Sequence, residues 1–391
     1  MPISLTPLTP RAIMRLTMGL FGKKKEERFE GMLGVDVGTS GIKVVEIVPE
    51  KGRLRLSRYG YSEPAGEVKA ESALIDDPAK AADTLKRILK ESNIRSTHAV
   101  ASLPSSKVFH AMITLPVPKS PKEDLKPLIE AQARKLLPLP LEEMILDSNI
   151  LDKDLLPKQE AEKQQEALQA AGDKSKKYIR VLLTGAPKVL VAKYVEVFRL
   201  AKIELVSLET EIFAVIRSLV GKDKSRIMIV DMGAERTNIA VVDKGVPYLT
   251  RGIKSGGNAV TMALAASMGV SFEEAEAMKR DLSFSSTQDL PAPLAQAVKP
   301  ILHEIKYALQ LYAEQDFHDN SSVEKIIITG GSSHVPGLIP YLTTALNVNV
   351  YHGDPWARVA TVAEARPVLD EVGPRLAVAI GLSMRGKDEA L

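Results

Sequence analysis

The 391-residue chain contains no cysteine. Disulfides and thiolate metal sites are therefore excluded, and a reducing compartment fits. Its six histidines are scattered, with no HExxH pair, so a zinc site has no support. Charge of one sign is also missing: 52 Lys and Arg face 49 Asp and Glu, for a formal net charge of +3. That balance signals no general nucleic-acid-binding surface. Apolar runs such as Val189–Ala192 are far too short to cross a bilayer. The sequence lacks GxxxxGK[ST], a GxGxxG after a strand, and GxSxG, which leaves P-loop, dinucleotide and nucleophile-elbow chemistry without support. RGIKS (251–255) ends in Lys-Ser but lacks the glycine spacing.

What remains is ample material for packed cores. The hydrophobic fraction is 45%, and the length suggests two to four domains. Residues 1–30 read as a flexible leader. Modest apolar character precedes the basic cluster Lys23 to Lys25, the reverse of a secretory signal. Met18 is an alternative start. A weak amphipathic membrane contact through Ile13, Leu16, Leu20 and Phe21 is the competing reading of that segment.

From Met32 onward, strand and helix patterns alternate, which argues for an α/β architecture. RLRLSRYGY (53–61) reads as an edge strand, and residues 77–94 read as a helix capped by Asp77 with Pro78 behind it. THAVASLP (97–104) and KVFHAMITLP (107–116) read as strands. Residues 121–144 read as a helix that stops at Pro138. EMILDSNIL and YIRVLLTGAP are strand-like, and the Lys-, Glu- and Gln-rich stretch 152–177 between them reads as a solvated loop. Residues 188–203 read as an amphipathic helix, and 205–220 pass from strand to helix. Residues 226–252 give three strands, 257–282 and 292–316 are helical, and KIIIT (325–329) is a buried strand.

Two segments echo each other. LGVDVGTSGIKVVEI and MIVDMGAERTNIAVVD both give a strand, Asp, any residue, Gly, a short polar turn and a second strand. Aligning Asp36 with Asp231 places Gly38 on Gly233 and Lys43 on Asn238. A tight hairpin tipped with glycine and small residues aims backbone N–H groups outward, and such nests bind anions. Two opposed hairpins would clamp a polyphosphate. The two aspartates would repel it unless Mg²⁺, held through water, stands between. Lys43 would meet a phosphate directly, and the hydroxyls of Thr39, Ser40 and Thr237 would donate hydrogen bonds.

Two further elements complete the pattern. In IIITGGSSHVPGL (326–338), Gly330 and Gly331 follow a buried strand and let a flat ligand approach the backbone. In residues 255–282, Gly256 and Gly257 precede a helix and are expected to leave free N–H groups at its start. Glu276 and Lys279 share one helical face and are expected either to pair with each other or to bind a ribose and adenine.

These elements, in this order, resemble the actin-like ATPase superfamily, which includes actin, MreB, FtsA and the sugar kinases. The closer resemblance is to the PilM family of type IV pilus assembly. It is carried by GVDVGTSGIKVVEI, LLPLPLEEM, VDMGAERTNIAVV, SFEEAEAMKRD and ITGGSSHVPGL, and it spans Gly31 to Gly381. The resemblance implies an actin-like ATPase (ribonuclease H-like) fold, with two lobes around a nucleotide cleft and an FtsA-like inserted subdomain. The implied organisation is a leader (1–30), a first-lobe core 1A (31–104), the inserted subdomain 1C (105–203) and a return to the first lobe (204–224). A second lobe 2A/2B (225–355) and a C-terminal segment packing back on the first lobe (356–391) complete it.

The resemblance also implies ATP and Mg²⁺ as ligands. Asp36, Gly38, Thr39, Ser40 and Lys43 match the first phosphate loop, and Asp231, Gly233, Thr237 and Asn238 the second. Asp36 and Asp231 would hold the metal through water. Gly256, Gly257, Glu276, Lys279, Gly330, Gly331 and Ser332 match the adenosine side. Glu211 resembles the glutamate that positions attacking water in MreB-like ATPases. The family pattern has proline after it, whereas this chain has Ile212, a departure that bears on hydrolysis more than on binding.

The implied partner is the N-terminal cytoplasmic peptide of a PilN-like inner-membrane protein, with pilus motor or platform proteins and self-association as further options. The implied location is cytoplasmic, peripheral to the inner membrane through that partner. A sugar-type kinase and an FtsA-like membrane polymer are the competing functions. The second would need a basic amphipathic tail, and GPRLAVAIGLSMRGKDEAL does not read as one.

Overall fold

The structure is a computed structural model, and it describes residues 31–39, 41–62, 74–118, 120, 123–151, 178–282, 289–314 and 322–385. The leader, the 152–177 loop and Ser40 lie outside the described residues. The chain divides into two compact units, Lys107–Lys193 and the remainder, Gly22–Ser106 with Tyr194–Leu391.

The smaller unit is a three-stranded antiparallel sheet of β5 (Phe109–Pro116), β7 (Tyr178–Pro187) and β6 (Met144–Ile150), in that order. Helix α2 (Lys126–Leu136) covers it through Ile129 and Ala133, which meet Ile113, Leu115, Ile179, Val181 and Leu183. The odd-numbered residues of β7 face this core, as the two-residue period of a strand requires. The α2 region is shorter than the sequence suggests. It opens at Lys126 beside Pro127, and a separate 3-10 turn, Leu141–Glu143, follows Pro140.

The larger unit contains two five-stranded sheets with the same topology. The first runs β3 (Arg53–Tyr61), β2 (Gly41–Glu50), β1 (Met32–Gly38), β4 (His98–Leu103), β8 (Glu204–Thr210). The second runs β11 (Val246–Ile253), β10 (Thr237–Asp243), β9 (Ile227–Met232), β12 (Lys325–Thr329), β13 (Asn349–His352). In each sheet three antiparallel strands precede two parallel ones. The internal echo of the sequence is thus a duplication of topology. RLRLSRYGY sits at a sheet edge, as its alternating basic residues suggest.

Helices fill the remaining faces. Helix α1 (Pro78–Glu91) is capped by the Asp77 carboxylate, which accepts from the Lys80 N–H at 3.1 Å. Helix α3 (Lys188–Ala201) leads into β8, and α4 (Glu211–Val215) runs on into a π turn, Ile216–Val220. The stretch 257–282 is two helices, α5 (Gly257–Met268) and α6 (Phe272–Leu282), because Gly269 takes φ +68° and stops the first. Helix α7 (Ala292–Ala313) packs Val298, Ile301 and Ile305 against Met228, Val230 and Ile239 of the second sheet. After α8 (Leu338–Leu346), the chain returns through α9 (Arg366–Ser383) to pack on β1, β2 and α4.

Two glycines permit this packing. A Cβ on Gly34 would lie 2.0 Å from the Ala379 carbonyl oxygen, and one on Gly381 would lie 1.8 Å from that of Ala214. Strand β1, α9 and α4 therefore meet backbone to backbone, and this contact positions the N-terminus of α4, where Glu211 sits.

Candidate functional site

The first hairpin turns through Gly38 and Gly41, the latter at φ +126°, which only glycine adopts without strain. Its register pairs Asp36 with Lys43. Asp36 is 5% exposed, and both of its oxygens are engaged. Oδ1 accepts from the Ser102 hydroxyl at 2.9 Å, and Oδ2 accepts from Lys43 Nζ at 3.0 Å. Thr39 lies exposed at the tip.

The second hairpin reproduces this arrangement. Asn238 pairs with Asp231, the position at which Lys43 pairs with Asp36. The Gly233 N–H is used within the turn, donating to the Arg236 carbonyl at 2.9 Å. Thr237 corrects the sequence expectation: it is fully buried, and its hydroxyl donates to the Ser255 carbonyl at 2.7 Å. It pins β10 to the start of α5 and leaves no hydroxyl for a phosphate.

The two hairpins and Glu211 form one electrostatic cluster. Burial pushes the Asp231 carboxyl up to about 6, with the nearby Asp36 charge adding to the effect. Burial, then the charges of Asp36 and Asp231, push Glu211 up to about 7. Glu211 Oε2 accepts from the Ser105 N–H at 2.9 Å and from the Asn238 amide at 3.3 Å. Burial works against the charge of Lys43, yet Asp36, and behind it Asp231 and Glu211, hold its pKa above the ordinary value. Three carboxylates thus share one lysine. A cavity of about 20 Å³, room for one water, adjoins them, bordered by Ser105, Glu211, Asp231 and Asn238.

The residues matched to the adenosine side also meet. The Gly257 N–H donates to the Gly233 carbonyl at 2.9 Å, and the Asn258 N–H to the Ala234 carbonyl at 2.8 Å. The expected free N–H groups at the start of α5 are therefore occupied by the second hairpin. Ser332 donates from its hydroxyl to the Gly233 carbonyl at 3.2 Å and from its N–H to the Met232 carbonyl at 3.0 Å. Gly330 takes φ +92° and lies against Asp231: a Cβ there would fall 2.5 Å from Oδ1. Lys279 Nζ donates to Glu276 Oε2 at 2.5 Å, to the Thr261 hydroxyl at 2.7 Å and to the Gly257 carbonyl at 3.3 Å. Burial lowers the Lys279 pKa despite the Glu276 charge. Four loops or helices thus converge: the second hairpin, the start of α5, α6 and the Gly330–Ser332 turn.

Sequence reasoning missed several contributors. Ser102 and Ser105 flank the end of β4, and a polar residue closing a buried strand was the available signal. Thr261 lies one turn into α5, with no motif to mark it. Arg375 on α9 stacks over Tyr61 at 5.1 Å, and its side chain lies beside Gly331. Only the fold brings that distant residue here.

The cluster carries more negative than positive charge. Asp36 and Asp231 repel each other, and one lysine neutralises them incompletely. Among the described residues no group of three or more His, Cys, Asp or Glu side chains is placed to hold a metal ion directly. Among the described residues no helix is long and apolar enough to cross a membrane.

Comparison with known proteins agrees with this architecture. A chain of a "PilM-PilN type IV pilus biogenesis complex" is 25% identical, with a TM-score of 0.72 over 92% of this chain and 99% of that one. The ethanolamine utilization protein EutJ from Carboxydothermus hydrogenoformans is 16% identical, with a TM-score of 0.50 over 93% and 92% of the two chains. The duplicated sheets are those of the actin-like ATPase fold. The family model for the type IV pilus assembly protein PilM matches residues 34–387, from the first hairpin to the end of α9. With nearly the whole described chain inside that match, this protein belongs to the PilM family of type IV pilus assembly proteins.

Proposed function

We propose that the cluster of Asp36, Lys43, Asp231 and Glu211 is the phosphate end of an ATP site. The supporting observation is the shared register of the hairpins: Asp36 faces Lys43 and Asp231 faces Asn238, within one electrostatic cluster. Lys43 would bind phosphate oxygens, and Asp36 and Asp231 would hold the waters of a bound Mg²⁺. That cation would supply charge neutralisation between carboxylates and phosphates. Gly330, Gly331 and Ser332 would bound the nucleoside with Glu276 and Lys279, the last pair already locked to Thr261. Glu211 would hold a water toward the terminal phosphate. Near pH 7 it carries its charge only part of the time, so turnover would be slow.

In this reading the protein is a nucleotide-regulated scaffold of a type IV pilus or related secretion platform. It binds the N-terminal peptide of a PilN-like inner-membrane protein, and the partner brings it to the membrane. The neighbour solved as a PilM–PilN complex supports this choice of partner. The sugar-kinase alternative would need a hydroxyl-rich pocket beside Glu211. The cavity there, at about 20 Å³, has room for one water and not for a sugar. A pulldown with a PilN-like N-terminal peptide, with and without ATP, tests the scaffold. Retention that depends on nucleotide is expected, and no retention in either condition overturns it.

A further inference from the structure

Arg236 closes the turn of the second hairpin, where its carbonyl accepts from the Gly233 N–H at 2.9 Å. Its guanidinium makes no hydrogen bond or ion pair with another described residue, and its Nε is buried without an acceptor. A buried donor left unpaired is costly, and a guanidinium can only donate. An unmet group of this kind in a folded protein calls for a reason, and an anion that binds there is one.

Strand alternation and register fix where the side chain lies. Arg236 and Asn238 flank Thr237, so they point to the same face of the second sheet while Thr237 is buried on the other. Asn238 lies opposite Asp231 on one side and opposite Gly252 on the other. A Cβ on Gly252 would stand 3.3 Å from Asn238 Oδ1 and 3.4 Å from Arg236 Nη2. The guanidinium therefore rests beside the Asn238 side chain, over β11, in space that a glycine leaves open. Glu211 meets the same face, where its Oε2 accepts from the Asn238 amide at 3.3 Å. Arg236, Asn238, Asp231 and Glu211 thus share one face.

The charges on that face do not balance. In the first hairpin the residue opposite the aspartate is Lys43, whereas in the second it is the neutral Asn238. A terminal phosphate would add negative charge to three carboxylates that already share one lysine. Arg236 is the cation that the second hairpin supplies, one turnward step from the position of Asn238. Its backbone is anchored by Gly233 and, through Thr237, by the Ser255 carbonyl. Rotation between staggered side-chain conformers carries the guanidinium from Gly252 across Asn238 without moving that backbone. Its planar fork matches the oxygens of a phosphate.

We propose that Arg236 is a second phosphate-binding cation, which takes the terminal phosphate and so favours a nucleoside triphosphate over a diphosphate. It stands beside the asparagine that holds Glu211, the residue assigned to the terminal phosphate, and this selects that phosphate over the inner ones. The assignment rests on the ATP reading above.

The test is calorimetric titration of the full-length parent and of Arg236→Gln with ATP and with ADP, both in Mg²⁺. The variant is expected to lose at least about tenfold in ATP affinity and less than about twofold in ADP affinity. Arg236→Lys, which keeps the charge without the fork, is expected to fall between parent and Arg236→Gln for ATP. Unchanged ATP affinity in Arg236→Gln, or equal losses for both nucleotides, overturns the proposal. Without nucleotide, the Tm of Arg236→Gln is expected to hold or rise, since no bond is lost. A clear fall marks a structural arginine and contradicts the assignment. A parent that binds neither nucleotide overturns the ATP reading and this assignment together, whereas a parent that binds both, with an unaffected variant, overturns the assignment alone.

Discussion

Lys43 Nζ lies 3.0 Å from Asp36 Oδ2, and the two residues face each other across the first hairpin as Asn238 and Asp231 do across the second. The lysine is therefore the partner of Asp36, and the charges of Asp231 and Glu211 act on it as well. Lys43→Met is expected to lose at least about tenfold in ATP affinity, measured by calorimetry. It leaves Asp36 buried without its charge partner, so a fall in stability of about 3 kcal/mol in denaturant titration accompanies the loss. Unchanged affinity with reduced stability would make Lys43 purely structural.

Asp231 behaves differently because its charge is opposed. Asp231→Asn removes repulsion with Asp36 and is expected to raise the stability of the nucleotide-free protein by about 1 kcal/mol. The same change should abolish the Mg²⁺ dependence of ATP binding. A variant that is less stable and keeps that dependence would contradict the assignment. Asp36→Ala is a poorer probe, since it strands Ser102 and Lys43 as well.

Acid–base linkage gives a third expectation. Glu211 at about 7 and Asp231 at about 6 lie above their ordinary values of 4.5 and 3.8. The folded state keeps these protons at pH values where the unfolded chain has released them. Stability of the nucleotide-free protein should therefore fall as pH rises from about 4 through 7, by a few kcal/mol in total, since each tenfold gain in proton affinity on folding is worth about 1.4 kcal/mol. Glu211→Gln should flatten much of that slope and raise the Tm at pH 8. Parallel pH profiles for parent and variant would contradict the raised values.

The backbone crossing of α9 and α4 has no slack. Gly381→Ala places a methyl group 1.8 Å from the Ala214 carbonyl oxygen, backbone that no rotamer can relieve. A loss of about 3 kcal/mol or more is expected in equilibrium unfolding. Wild-type stability would show that α4 and α9 do not cross this closely.

Most of the strand and helix order was legible because periodicity and punctuation agree with it. Asp77-Pro78, Pro116 and the alternating 53–61 segment each mark the element the structure contains. Aligning the two short echoes set Lys43 against Asn238, and the structure adds that each lies opposite its own aspartate. The use made of Thr237 and of the N–H groups of Gly257 and Asn258 did not follow. Sequence shows which groups can donate, and only tertiary packing shows that Ser255, Gly233 and Ala234 take those bonds. The stretch 257–282 read as helical on both sides of Gly269, and the structure places the break between its two helices there. Arg375 carries no motif, and its neighbours come from a distant strand and turn.

Whether both hairpins serve one magnesium-bound nucleotide is decided by calorimetric titration of the full-length protein with ATP, in Mg²⁺ and then in excess chelator. A single saturable site that weakens sharply without the metal is expected, with that metal dependence lost in Asp231→Asn. No saturable heat with Mg²⁺, or identical isotherms with and without it, would show that the hairpins do not share such a ligand.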